Sequence, residues 1–345
     1  MNGNPVAAVT DRLRKISGAD GPASIAPCLR SNGNPMAEEQ YKVAYDLQEK
    51  VVLITGAAGG IGAATARALH ACGARLVLTD VTQASVDRLA AEFDSERTLA
   101  LALDVTDAAA TKAVVQHAVD RFGRLDIAFA NAGISWHDVP ATVYSCDEQE
   151  FERIVEVDLL GVWRTIKAAL PEIVRNRGQV LVTASVYAFV NGMVNAPYAA
   201  SKAGVEMLAR SLRAELGGTG STASVLYPGW VATAIAKVGF GGNALATKLI
   251  EKGFPAPLRR PIQPDDVAKA VIKGLRARQP RIVAPFRWAP LSWMRGFFNI
   301  VTDWHLGRQH EMHELMRELE RGRDRPAGPG KRRDAASVPA PAPRA

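Results

Sequence analysis

The chain has 345 residues, 48% of them apolar, and a formal net charge of +7. That apolar share is ample for a folded core, and the length suits one large or two small domains. Between Gly322 and Ala345 six Lys/Arg stand against two Asp, so +4 of the charge belongs to a Pro/Ala-rich tail. A nucleic-acid reader concentrates its cations on a folded face, so no nucleic-acid partner is expected. Cys28, Cys72 and Cys146 are unpatterned and odd in number. That argues against a disulfide framework and points to a reducing, cytoplasmic setting. No metal site is expected.

In chain order, residues 1–46 scatter Gly, Asn and Pro without a charged-then-apolar leader, and read as a disordered or loosely packed extension rather than a secretory signal. Short apolar runs predict strands at Val51–Thr55, Arg75–Asp80, Thr98–Leu103, Leu125–Ala130, Gln179–Thr183, Ser224–Tyr227 and Arg281–Val283. Helical patterns fill the intervals, as at Asp107–Phe122, Asp147–Arg175, Tyr198–Leu216 and Asp265–Ala277. Two stretches without charge, Gly178–Ser201 and Leu216–Ala236, are broken by Asn, Gly and Pro and suit buried strand-then-loop better than a membrane span. The alternation predicts an α/β fold, a doubly wound parallel sheet of about seven strands over 47–285. Ligands of such sheets sit outside the C-terminal strand ends.

Beyond 285 the pattern changes. Over 286–321 an amphipathic helical extension is expected, with Leu291, Met294, Phe298 and Val301 at helical spacing and Trp288, Trp293 and Trp304 interspersed. Such a stripe either packs on its own domain or a partner subunit, or makes peripheral membrane contact through 286–306. Met312, Leu315, Met316 and Leu319 form the single apolar stripe of a following surface helix, and 322–345 reads as a disordered basic tail.

The chemistry-bearing residues fall at the predicted strand ends. After the first strand, Thr55-Gly56-Ala-Ala-Gly59-Gly60-Ile61-Gly62 opens a helix of small residues. Glycines there let backbone approach a pyrophosphate, and the helix N-terminus offers free N–H groups and partial positive charge. Asp80 closes the second strand, where a carboxylate accepts from the ribose hydroxyls of NAD and repels the extra phosphate of NADP. Tyr198 precedes Lys202 by one helical turn, so the ammonium lies beside the phenol and stabilises its phenolate. Ser185, thirteen residues upstream of Tyr198, is placed to hold a substrate oxygen.

Taken with Asn131-Ala132-Gly133 and Pro228-Gly229-x-Val231-x-Thr233, these motifs resemble the single-domain branch of the short-chain dehydrogenase/reductase family from about Leu47 to Pro285. The resemblance implies a Rossmann sheet, a nicotinamide cofactor and reversible oxidation of an alcohol to a carbonyl. It further implies that Asp104-Val105 contacts the adenine, that Asn131-Ala132-Gly133 supports the central strand and cofactor, and that Lys202 reaches the nicotinamide ribose. Gly59 and Val81 stand where NADP users of the family place a basic residue, so NAD is expected over NADP. Gly56, Gly59 and Gly62 also match the spacing of the family's extended branch, but the Pro228-Gly229 motif argues against it. One position departs from the pattern: Asp158 stands where the family carries an Asn that holds a proton-relaying water. Its carboxylate is expected to accept from such a water, and its charge to pair with Lys202 at the expense of Tyr198.

For the substrate, Trp136, Phe189, Met193, Val194 and Trp230 are candidates to line an apolar pocket, and Ala234–Pro257, with Phe240, Gly241, Gly242 and Phe254, to form a mobile lid. A lipophilic secondary alcohol or ketone is the expected small-molecule partner, and a homo-oligomer the expected assembly. The alternative reading is a non-catalytic NAD(H)-binding sensor or scaffold, to which Asp158 lends the only support.

Overall fold

A computed structural model of the protein describes residues 44–137, 140–233, 236 and 243–323. Most of the expected N-terminal extension, nearly all of the basic tail, and Phe240, Gly241 and Gly242 of the expected lid lie outside the described residues. The first described residues pack on the fold: Leu47 is fully buried and the Tyr45 N–H donates to the Arg276 carbonyl at 2.7 Å.

Seven strands form one parallel sheet: β1 (Val51–Thr55), β2 (Arg75–Asp80), β3 (Thr98–Ala102), β4 (Ile127–Ala130), β5 (Gln179–Thr183), β6 (Thr222–Pro228) and β7 (Arg281–Ala284), in the order β3-β2-β1-β4-β5-β6-β7. The order reverses between β1 and β4. Between the strands run α1 (Gly60–Ala71), α2 (Gln83–Ala90), α3 (Ala108–Phe122), α4 (Glu148–Val155), α5 (Val162–Arg175), α6 (Ala196–Glu215), α7 (Ala244–Gly253) and α8 (Pro264–Arg276). Beyond β7 come α9 (Arg295–Leu306) and α10 (His310–Arg323).

Side chains on a strand alternate between faces, and here both faces are covered, so β1, β4, β5 and β6 are buried along their whole length and mostly apolar. On one face Leu53, Ala128, Val180 and Val225 pack with Val114 of α3, Ile166 of α5 and Val205 of α6. On the other, Ile54, Phe129, Leu181 and Leu226 pack with Leu69 of α1 and Val271 of α8. Each fully buried aliphatic side chain contributes about 1.5–3 kcal/mol. Capping sets the helix starts. The Asp107 carboxylate accepts from the Ala109 and Ala110 N–H groups ahead of α3, and Asp147 accepts from Glu150 ahead of α4.

The single predicted helix over Asp147–Arg175 is interrupted by a wider π-helical turn over Glu156–Gly161, which carries Asp158 inward. Gly161 is required there, since a Cβ would come within 2.6 Å of Val105 Cγ2. In the C-terminal extension Trp288 is fully buried in the main core, and Leu291 packs partly against it, in keeping with the expected placement on the chain's own domain. The stripe of α10 is likewise covered, with Met312 and Leu319 buried against Val194 and Leu249 of α7. No helix among the described residues is long and apolar enough to cross a membrane.

Candidate active site

The glycine turn begins at the end of β1. Gly56 takes φ +63°, and a Cβ there would lie 2.8 Å from Ala132 Cα, so glycine is needed both for the turn and for the close passage of the β4 loop. A Cβ on Gly62 would overlap the Gly56 carbonyl oxygen and come within 2.9 Å of Ala57 Cα, so the third glycine lets α1 start directly beneath the turn. Among the described residues no side chain caps α1, and its first residues, Gly60 and Ile61, line the space above the strand ends, which suits an anion.

Asn131 joins the ends of three strands. Its Nδ2 donates to the carbonyls of Thr55 and Gly56, both at 3.2 Å, and its Oδ1 accepts from Thr183 Oγ1 at 2.9 Å. Thr55 Oγ1 returns the link by accepting from the Asn131 and Ala132 N–H groups at 3.0 and 3.1 Å. Asp80 is held at the end of β2, its carboxylate accepting from Ala58 N at 3.1 Å and Val81 N at 2.9 Å. Asp104 Oδ1 accepts from the Thr106 N–H and hydroxyl.

A cavity of about 730 Å³ runs along these strand ends. Gly56, Gly60, Ile61, Asp80, Asp104, Val105, Asn131, Ala132, Gly133, Ser185, Tyr198, Lys202, Pro228, Gly229, Val231 and Thr233 all line it. Of the residues expected from the sequence, Gly62 and Asp158 do not. Gly62 is buried beneath the turn, and Asp158 lies behind Gly133 and Lys202.

Asp158 is fully buried and its Oδ2 lies 3.1 Å from Lys202 Nζ, itself almost wholly buried. Its Oδ1 accepts from the Ile134 N–H at 2.7 Å. Burial raises the Asp158 carboxyl above the usual range against the pull of Lys202. Burial also works against the Lys202 charge, yet Asp158 and Tyr198 together hold the ammonium above the ordinary lysine range. The Lys202 ammonium and the Ile134 N–H face the two Asp158 oxygens and favour the charged form against the effect of burial. Lys202 Nζ sits 5.3 Å from the centre of the Tyr198 ring.

The Tyr198 ring opens onto the cavity but lies deep within it, and this burial raises its phenol above the usual value. Lys202 pulls the value down, Asp158 pushes it up again, and the Ser185 hydroxyl lowers it by hydrogen bonding. The arrangement is a phenol beside a hydroxyl and a cation, with the Asp158 carboxyl group facing the same cation. Such a set passes a proton to or from an oxygen placed against Tyr198 and Ser185.

A family model described as short chain dehydrogenase matches residues 50–240. The chain belongs to the short-chain dehydrogenase family. This short-chain dehydrogenase is 34% identical over 236 residues to momilactone A synthase of Oryza sativa subsp. japonica, covering 66% of the chain and 84% of that relative. It is also 34% identical to cis-4-hydroxycyclohexanecarboxylate dehydrogenase of Sinomonas cyclohexanicum, over 65% of the chain and 88% of the relative. Among solved structures it resembles a 3-ketoacyl-(acyl-carrier-protein) reductase from Brucella melitensis complexed with NADH, with a TM-score of 0.62, 28% identity, and coverage of 69% and 97% of the two chains. The family fixes the reaction class as interconversion of alcohol and carbonyl groups with a nicotinamide dinucleotide.

The dehydrogenase departs from the sequence reading in its pocket wall. Of the apolar candidates only Trp230 lines the cavity. Trp136 is buried, donating its indole N–H to the Val194 carbonyl at 2.9 Å; Phe189 packs on Tyr227; Met193 and Val194 pack with α7 and α10. Hydrophobicity next to a motif does not distinguish core from pocket, and here the core took them. Tyr187 was missed. It stands edge-on to Tyr198, with ring centres 6.1 Å apart, and joins Trp230, Phe254 and Trp288 in one aromatic cluster. Its position two residues after Ser185 is the signal that was available. Asn195, also missed, is buried at the cavity wall, with no partner for its Oδ1 among the described residues.

Proposed function

We propose that this protein oxidises lipophilic secondary alcohols and reduces the corresponding ketones, preferring NAD to NADP, with Tyr198 as the acid–base group. The observation that carries this reading is the sharing of one cavity by Ser185, Tyr198 and Lys202 with the glycine turn and Asp80. The residues fit a dinucleotide. The uncapped start of α1 suits a pyrophosphate, and Gly60 leaves room there, since a Cβ at this position would come within 2.8 Å of the Thr233 methyl. The nicotinamide ring, when bound, supplies the hydride acceptor or donor.

The chain's own residues do the rest. Ser185 donates to the reacting oxygen and fixes its position. In oxidation the Tyr198 phenolate takes the hydroxyl proton; in reduction the phenol returns one to the carbonyl oxygen. Lys202 stabilises the phenolate, and Asp158 holds Lys202 in place through their 3.1 Å contact. Asp80 supports the NAD preference, because a second negative group beside its carboxylate is repelled.

Val186, Tyr187, Trp230 and Val231 give the cavity an apolar wall near Tyr198, which favours an apolar substrate over a polyol. The cyclohexane alcohol in the name of one relative fits a cyclic member of this class. Exposed Trp163 on α5 and Met207 on α6 support a subunit contact and hence a homo-oligomer. The test is reduction of NAD+ and NADP+ across cyclic and long-chain alcohols and sugar-like polyols. Turnover of the apolar alcohols with NAD+ is expected. Activity confined to polyols refutes the substrate class, and NADH binding without turnover of any alcohol leaves the sensor reading.

A further inference from the structure

Helix α9 displays apolar side chains to solvent. At 100° per residue, Phe297, Ile300, Val301 and Trp304 fall within an arc of about 100°, and Trp293 and Met294 immediately precede the helix. Every one of them is exposed, between 45% and 72%. The side turned toward the protein is mixed, with Arg295, Phe298, Thr302 and Leu306 half-buried. Both Glu206 oxygens accept from Arg295 Nη1, at 2.7 and 2.8 Å, and Glu206 on α6 is buried. With its amide oriented to suit its neighbours, Asn299 donates to the Phe189 carbonyl at 3.0 Å. The neighbouring α10 makes the contrast: its apolar stripe is buried against α7. Phe286, 70% exposed, extends the same patch, its ring 5.8 Å from that of Trp293.

Displaying an apolar face of this kind is favourable only if something covers it. The chemistry indicates what. Tryptophans are two of the six members, the residue type enriched where hydrocarbon meets headgroups. Arg308 stacks over Trp304 at 4.5 Å, placing a cation at the rim of the patch. The sequence beyond α10, residues 324–345, carries five Lys/Arg against two Asp. One amphipathic face gives only weak membrane binding, and an adjoining polybasic segment is the usual second contribution. We propose that α9 is a peripheral anchor that lies in the surface of an anionic lipid bilayer. This inference goes beyond the proposed activity and does not depend on it.

The experiment is co-sedimentation of the full chain with vesicles of phosphatidylcholine alone or mixed with phosphatidylglycerol, beside the variant F297S/I300S/W304S. All three side chains are exposed, so the variant should melt at the parent's temperature. The parent is expected to bind the anionic vesicles, less so as salt rises, and the variant to lose roughly ten-fold or more in partitioning. Should the variant not fold, quenching of the parent's tryptophan fluorescence by bromine-labelled acyl chains gives the same answer, since Trp293 and Trp304 would sit in the interface. A parent that stays in solution with both vesicle types, equal partitioning of parent and variant, or absence of quenching overturns the proposal. So does a parent oligomer that the variant dissociates without any vesicle affinity, which would assign the face to a second copy of the chain.

Discussion

The Lys202 ammonium lies 3.1 Å from a carboxylate, Asp158, in a place closed to solvent. With Tyr198 as a neutral phenol, that pair is electrically balanced, and removing the phenolic proton leaves the buried group with a net negative charge. With a neutral amide at 158 the same loss would instead produce balance. The other groups facing the set are Tyr187, whose own phenol is pushed up by burial and then by Tyr198, and Arg153, which acts weakly on Asp158. Oxidation uses the phenolate, so it should weaken as pH falls, whereas reduction uses the phenol and should persist. Asp158→Asn is expected to move the acid limb of kcat/KM for oxidation to lower pH. An unmoved limb, measured under otherwise equal conditions, rules out competition for the lysine.

Asp80 is positioned by two backbone N–H donors at the edge of the cavity. Asp80→Ser removes the charge and keeps a hydroxyl. The ratio of kcat/KM for NAD+ over NADP+ is expected to fall by about ten- to a hundred-fold, or about 1.4–2.7 kcal/mol. An unchanged ratio places cofactor choice elsewhere.

Gly62→Ala puts a methyl group against the Gly56 carbonyl, with backbone on both sides and no flexible atom to give way. Overpacking of this kind costs about 1–3 kcal/mol. Urea unfolding should show that loss, and fluorescence titration should show weaker NADH binding, because the turn itself must move. Unaltered stability and affinity would contradict the close-packed turn.

How far the sequence carries is clearest from particular residues. Strand boundaries such as Val51–Thr55, Arg75–Asp80 and Gln179–Thr183 were legible because a sheet covered on both faces needs unbroken apolar runs, and glycine, aspartate and proline mark where those runs end. The residues set at the strand ends were legible for the same reason, since their spacing follows the alternation of strand and helix. The π-turn at Glu156–Gly161 was not, because a single extra residue per turn leaves the helical pattern intact. Nor was the fate of the aromatics. Trp136, Phe189 and Trp288 are as apolar as Trp230, and only tertiary packing decides that three enter the core and one faces the cavity.

Trp288 shows how the extension beyond β7 bears on the site. It is fully buried, its ring centre lies 5.3 Å from that of Trp230, and a Cβ on Gly229 would come within 2.6 Å of its indole nitrogen. Trp288→Ala should therefore cost about 3–5 kcal/mol in chemical denaturation. A raised KM for apolar alcohols is expected alongside it, as Trp230 loses its support. A variant as stable as the parent would mean that the extension contributes nothing to the core.

The central claim is that Tyr198 moves the proton, and Tyr198→Phe tests it with the loss of one oxygen atom. Steady-state turnover of the best alcohol is expected to fall by roughly 10²–10⁴-fold, while NADH affinity, measured by fluorescence on the same preparation, stays close to the parent's. Turnover equal to the parent's, with cofactor bound normally, would contradict the account.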